Sequence, residues 1–222
     1  MKKQVFYLLL ILLNLQLAAH SQNDSLKGGE LYSSNFLIDG VQRNFTYYMP
    51  VNYGKKDLYP LVIFLHDMGK SGKDIIKSYG NKINAMADSS DCIVIYPDAV
   101  AGHWNDKMDK SFPATDTIND VGFISILIDY FRDVYHCDAK RVYVAGFFNG
   151  GELAYRLSCD IPAKVTAIAP FISNPEEAAT KCNSDKSVAI MNTNQTDKNP
   201  DQNNIAEAWN FFMTHVKKSG SQ

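Results

Sequence analysis

Two hydrophobic rhythms divide this chain. Over residues 41–49 polar and apolar positions alternate: Val41, Arg43, Phe45 and Tyr47 fall on one face, and Gln42, Asn44, Thr46 and Tyr48 on the other. That is the period of a half-buried strand. Apolar residues 36–38 and then Asp39-Gly40 stand just before it. Asp-Gly tolerates the positive φ angles of a tight two-residue turn, so residues 36–49 predict an antiparallel hairpin. From residue 61 the rhythm changes. Residues 61–65, 92–96, 142–145, 165–169 and 188–191 are short, almost unbroken apolar runs. Strands apolar on both faces belong to a parallel sheet covered on both sides.

Between these runs the period lengthens. Residues 74–87, 119–135, 150–158 and 205–216 carry helical spacing; in the second, Val121, Ile124, Ile128 and Phe131 form the apolar stripe. Strand and helix alternate throughout. The pattern predicts an α/β fold: a mostly parallel sheet with helices on both faces, opened by the antiparallel hairpin. In such sheets ligands meet the carboxyl ends of the strands. Residues 66–72, 97–106, 146–151 and 192–200 are therefore where function is expected.

Composition adds boundaries. The 222 residues are 45% hydrophobic and 21% charged, enough for one domain with a sizeable core. Lys2 and Lys3, an apolar stretch over 5–17, and Ala19-His20-Ser21 have the layout of a secretory signal peptide cleaved near Ser21. The expected organisation is a signal peptide over 1–21, a mobile lead-in over 22–34, a single domain over 35–217 and a tail over 218–222. The apolar stretch is short for a bilayer, so no stable membrane insertion is expected, and the chain is read as secreted or periplasmic. A net charge of −2 gives no sign of a nucleic-acid partner. Export permits disulfides, and Cys92, Cys137, Cys159 and Cys182 allow three pairings. Their spacing is not that of metal ligands, so no metal site is expected. Oligomeric state is left open.

Chemistry enters at Gly146-Phe147-Phe148-Asn149-Gly150, which follows a predicted strand and opens a predicted helix. That is the setting of a nucleophile elbow, Gly-x-Ser-x-Gly, with phenylalanine at the central position. A phenyl ring has no lone pair to attack a carbonyl and no proton to pass to a base.

Several segments together resemble the polyhydroxybutyrate depolymerase and feruloyl esterase group of the α/β-hydrolase superfamily. Pro60 to Gly69, with His66-Asp67-Met68-Gly69 at its end, is similar to that group's strand and oxyanion loop. Ile95-Tyr96-Pro97-Asp98 with Trp104-Asn105, residues 120–129, residues 138–146, residues 149–159 and residues 167–170 continue the likeness. The resemblance implies an extracellular ester hydrolase with a Ser-His-Asp triad and no cofactor. It also implies a polysaccharide, phenolic-ester or polyester ligand and a Cys159–Cys182 disulfide. His66, Asp67, Met68 and Asn149 take the oxyanion positions. Asp98, His103, Trp104 and Asn105 become candidates for a substrate loop. Cys92 and Cys137 precede strands that such a sheet separates by one strand, so their pairing is doubtful on distance.

The departures fall on the catalytic parts. Phe148 stands at the nucleophile position. Asp67 replaces a glycine beside the oxyanion donors, where a carboxylate opposes developing negative charge. The triad acid aligns with Thr196 or, after a one-residue shift, with Asp197. The segment that brings the histidine base in the group looks deleted, since Pro200 runs almost directly into the last helix; His215, at that helix's end, is poorly placed to replace it. The expected protein is therefore an esterase-like chain without nucleophile or base, acting by binding or standing as a relic. The competing reading is an active ester hydrolase in which Asp67, Asp98 or Asp197 activates water. A third is an interaction module with an open sheet edge.

Overall fold

A computed structural model describes residues 26–105, 117–172, 187–193 and 200–218. The expected signal peptide, the first residues of the lead-in and the end of the tail lie outside them. So do Cys182, Thr196 and Asp197.

Strands β1 (Glu30–Ile38) and β2 (Val41–Met49) form the hairpin, in register from Glu30 opposite Met49 to Ile38 opposite Val41. The turn is built as its sequence requires: Asp39 has φ 50° and Gly40 φ 76°. β1 begins at Glu30, five residues inside the stretch expected to be a mobile lead-in. Alternation is weak in this exposed strand, so its polar residues read as a loop; pairing with β2 supplies the order that burial does not.

The remaining elements alternate. They are β3 (Tyr59–Leu65), α1 (Gly72–Ser90), β4 (Ile93–Pro97), a short 3-10 turn at Val100–Gly102, α2 (Asp120–Tyr135), β5 (Cys137–Phe147), α3 (Asn149–Asp160), β6 (Ala167–Phe171), β7 (Ala189–Ile190) and α4 (Gln202–Met213). The described strands form one sheet in the order β1-β2-β4-β3-β5-β6-β7. β2 runs antiparallel to β1 and β4, and β4, β3, β5, β6 and β7 are mutually parallel. This is the expected mostly parallel sheet with helices on both faces and an antiparallel hairpin at one edge, an arrangement consistent with an α/β-hydrolase fold.

Period-2 alternation splits each parallel strand between two cores. Leu61, Ile63, Leu65, Ile93, Ile95, Val142, Val144 and Ile168 face α2 and α3, against Ile124, Leu127, Phe131 and Leu153. Val62, Phe64, Val94, Tyr96, Tyr143, Ala145 and Ala169 face α1 and α4, against Ile75, Ile83, Trp209 and Phe212. β7 is shorter than its apolar run predicts, with only Ala189 and Ile190 pairing to β6. The last helix ends at Met213 rather than 216. Thr214 caps it through a side-chain bond to the Phe211 carbonyl at 2.8 Å. Among the described residues no helix is long and apolar enough to cross a membrane.

The cysteines divide as the sheet does. β3 lies between β4 and β5, and Cys92 and Cys137 are buried free thiols. Burial pushes the Cys92 thiol up to about 12, and Cys137 rises for the same reason, so neither is a nucleophile at neutral pH. Cys159, on α3, is not among the free thiols.

Candidate functional site

Residues 146–151 make a turn too tight for side chains on its flanks. A Cβ on Gly146 would lie 2.1 Å from the Gly150 carbonyl oxygen, and one on Gly150 would lie 2.6 Å from the carbonyl oxygens of His66 and Leu65. Both glycines let β5 fold directly into α3 against the end of β3. Phe148 sits at the apex with φ 46° and ψ −111°, a positive φ that a bulky residue rarely adopts. The strain costs about 1–3 kcal/mol, and the neighbouring backbone holds it in place. Phe148 N–H donates to the Phe171 carbonyl at 2.8 Å, and Glu152 N–H donates to the Phe148 carbonyl at 2.9 Å. The apex therefore has the strained strand-to-helix geometry of a nucleophile elbow, and carries a phenyl ring.

The loop after β3 closes over this turn. His66 is wholly buried. Its Nε2 accepts from Ala99 N–H at 3.0 Å, which places the ring proton on Nδ1, and Nδ1 donates to the Asp67 carbonyl oxygen at 2.8 Å. Both nitrogens are engaged and burial lowers the pKa, so the ring is a neutral brace. Gly69 N–H donates to Gly102 at 2.8 Å, fixing the loop to the 3-10 turn.

Asp67 turns its carboxylate into the angle between loop and helix. Met68 N–H donates to its Oδ1 at 2.7 Å, and the backbone N–H of Asn149, the first residue of α3, favours the ionised carboxyl group electrostatically. A helix's first N–H groups have no partner within the helix, so a carboxylate suits them. Desolvation outweighs those donors, His66 and Lys70, and the Asp67 pKa is raised. The structure thus brings His66, Asp67, Met68, Asn149 and Phe148 together.

The expected substrate loop is placed differently. Trp104 is fully buried in the core and presents no ring face to a ligand. Its Nε1–H donates to the His66 carbonyl at 2.9 Å and its backbone N–H to Asn149 Oδ1 at 2.7 Å, while Asn149 Nδ2 donates back to the Trp104 carbonyl at 3.2 Å. His103 and Asn105 are buried with it. Asn105 N–H donates to Asp120 Oδ2 at 2.7 Å, Asp120 Oδ1 forms an ion pair with Arg43, and Arg156 donates to the Asn105 carbonyl at 2.6 Å. Asp98 accepts from Gly72 N–H at 2.7 Å, at the start of α1, and borders a separate hollow of about 240 Å³. Aromatic and polar residues on a strand-end loop suggested ligand contact. Here the loop is structural, because Arg43 and Asp120 anchor it from beneath.

Above Phe148 lies a cavity of about 500 Å³, bounded by His66, Asp67, Lys70, Tyr79, Phe148 and Pro200 among others. Its walls join an aromatic floor to charges of both signs. Tyr79 donates to the Pro200 carbonyl at 2.8 Å across one side. Lys70 and Tyr79 were not singled out from sequence; both follow the oxyanion loop within three turns of chain and α1, and only the fold turns them toward Phe148. Elsewhere, His136 lies at the opposite end of β5 from Phe148. His215 Nδ1 contacts the Phe211 carbonyl at 2.7 Å, and its own carbonyl accepts from Tyr143 at 2.6 Å. Among the described residues, no three His, Cys, Asp or Glu side chains gather as metal ligands.

Comparison with known proteins finds distant likenesses to esterases. No family model matches the chain. It is 26% identical over 156 residues to feruloyl esterase D of Neurospora crassa, covering 65% of this chain and 49% of the relative. It is 29% identical over 133 residues to a bifunctional acetylxylan esterase/xylanase of Neocallimastix patriciarum, covering 59% of this chain and 18% of the relative. Among solved structures, a thermostable esterase superposes with a TM-score of 0.58 at 16% identity, covering 84% of this chain and 63% of that one, a likeness of fold. The chain spans about half or less of the length of these curated relatives. The chain is thus similar over part of its length to proteins named as esterases, and its fold is consistent with that of α/β-hydrolases.

Proposed function

We propose that this chain is an exported, non-catalytic member of the esterase group, which binds an ester-bearing ligand in the cavity above Phe148 and does not cleave it. One observation carries the reading: the elbow apex, with φ 46° and ψ −111°, bears a phenyl ring where acyl transfer needs an oxygen or sulfur nucleophile. The surroundings support it. His66 has both nitrogens engaged, and Asp98 is committed to the start of α1, so neither is disposed to activate water. The triad-acid position is assigned to Thr196 or Asp197. Cys159 is assigned to a disulfide with Cys182, which non-reducing peptide mapping would reveal. The relatives' names suggest the ligand: a feruloylated or acetylated polysaccharide fragment, or a polyester of similar length.

The test measures binding and hydrolysis in one tube. Feruloylated oligosaccharides and hydroxybutyrate oligomers are titrated against the exported chain, with p-nitrophenyl butyrate turnover followed in parallel. Turnover should match a Phe148→Ala control, and at least one oligomer should bind saturably. Turnover well above that control defeats the proposal.

A further inference from the structure

Among the described strands β1 closes one edge of the sheet, and its outer side has no partner strand. The other edge, β7, pairs only through Ala189 and Ile190. β1 runs from Glu30 to Ile38 in unbroken register with β2. A long edge strand is a template for another chain, and folds usually guard one with lysine, proline, a bulge or shortness. β1 has none of these, and Glu30, at its start, is its only charge. The direction of its backbone groups follows from β2. Asp98 N–H donates to the Asn44 carbonyl at 2.9 Å, so Asn44 bonds toward β4, and its neighbours Arg43 and Phe45 bond toward β1. Arg43 lies opposite Phe36, and Phe45 opposite Ser34. The alternate residues Leu31, Ser33, Asn35 and Leu37 therefore aim their N–H and C=O groups outward. Leu31 and Leu37 are also 42% and 76% exposed.

We propose that β1 joins β1 of a second copy of this chain, antiparallel about a two-fold axis beside Ser34, so that two sheets become one. Residue order selects this occupant. Turned about Ser34, Leu31 falls opposite Leu37 of the second copy, and Ser33 opposite Asn35 of the second copy. All four are outward-bonding residues, so each pair exchanges two N–H···O bonds. On that face the exposed leucines cover each other on both sides of the axis. On the opposite face Tyr32 meets Phe36 of the second copy. That extends an aromatic row in which Tyr32 stacks on Tyr47 at 5.5 Å and Phe36 meets Phe45 and Tyr130 at 5.0 Å. Sliding by one residue sets outward groups against inward ones. Sliding by two keeps the bonds but turns Leu31 toward Asn35 or Asp39. One register thus satisfies the backbone and both faces, the mark of an isologous contact. Glu30 falls opposite Ile38 of the second copy, so no like charges oppose each other. The two-fold uses up the long edge, so association stops at two copies. The pairing does not depend on the reading of Phe148.

Sedimentation velocity on the exported chain, from about 1 to about 500 µM, reads the association, since pairing along one strand is expected in the micromolar range. The wild-type chain should pass from monomer to dimer and no further. Asn35→Pro removes an outward N–H and no bond to β2, so it should keep the monomer and weaken the dimer at least about ten-fold. Leu31→Lys with Leu37→Lys sets like charges opposite each other and should do the same. Leu31→Glu with Leu37→Lys sets opposite charges there and should restore the dimer. Cross-linking reads the register. At a non-hydrogen-bonded pair the Cα atoms lie about 4.5 Å apart, within disulfide reach, so Ser34→Cys should bridge two copies on mild oxidation and Ser33→Cys should not. A wild-type chain that stays monomeric through the range, growth past the dimer, a dimer indifferent to both lysines, or equal bridging by the two cysteine variants overturns the proposal. Should Asn35→Pro not fold, as read by circular dichroism, the charge variants decide.

Discussion

Two regions at the carboxyl end of the sheet share one residue and differ in almost everything else. In the first, beneath the Trp104 loop, polar groups are buried and mostly paired, Arg43 Nε excepted. Asp120 takes Arg43 on one oxygen and Asn105 N–H on the other, Arg43 lies 4.0 Å over the Phe123 ring, and the Asn149 side chain trades hydrogen bonds with Trp104. In the second, above Phe148, the walls are half-exposed, the charges are mixed, and the apex holds a strained φ. Asn149 belongs to both: its side chain bonds Trp104 in the first, and its backbone opens α3 directly after the Phe148 apex in the second. The difference separates scaffold from chemistry. The network beneath the turn is largely paired, while the turn above it carries a phenyl ring at its apex.

The comparison breaks most readily at Asp120. Arg43 and Asp120 are 3% and 0% exposed, and Arg43 Nε has no hydrogen-bond partner. Asp120→Ala leaves the guanidinium buried and uncompensated, at an expected cost of about 3–5 kcal/mol. Urea denaturation would measure it. Replacing both partners, Arg43→Met with Asp120→Leu, should restore most of that stability, because the cost lies in the unpaired charge. If the double variant is as unstable as the single one, the brace depends on the Asn105 bond rather than on the ion pair.

A smaller effect is expected where the two regions are pressed together. Gly150→Ala puts a methyl group 2.6 Å from two backbone oxygens at the end of β3, neither able to swing away. Overpacking of this kind costs about 1–3 kcal/mol. It should also shift α3, and with it Asn149, away from both Trp104 and Asp67. Thermal melting should fall, and the Asn149 amide resonance should shift. A variant that melts with the wild type would mean the turn is looser than its contacts indicate.

How much of this was legible in the chain differs between the same two regions. Hairpin, sheet and helices followed from periodicity, because burial on one face or two leaves a direct mark on residue order. Phe148 was equally plain, since Gly146 and Gly150 frame it. The burial of Trp104 was not legible, because an aromatic on a strand-end loop looks the same in sequence whether it faces a ligand or the core. A signal was present: Arg43 lies on the inward face of β2 with Phe45 and Tyr47, and a buried guanidinium requires a carboxylate. Which carboxylate was not legible, since Asp120 is 77 residues away. Asp67 was expected to oppose an oxyanion. Its bond from Met68 N–H and its place in the wall of the cavity above Phe148 depend on how the loop after β3 turns, and residue order does not record that.

The finest distinction between the regions is how each treats a carboxylate, and pH exposes it at Asp67. Burial raises the Asp67 pKa above its ordinary 3.8, against the pull of the Met68 and Asn149 N–H groups, His66 and Lys70. Between 3.8 and the raised value the folded chain holds a proton that the unfolded chain has released. Folding stability contributed by this group therefore falls as pH rises through that window, and it stays at the lower level above it. Asp67→Asn keeps the shape and one acceptor but cannot ionise. The stability of the variant relative to the wild type should accordingly grow from about pH 4 upward and then level off, as read from denaturation midpoints at successive pH values. The change should be small, since Asp67 is partly exposed and solvent screens it. A relative stability that instead declined with rising pH would show the N–H pair favouring the ionised carboxylate more strongly than burial penalises it. The second region would then be as closely matched to its charge as the first.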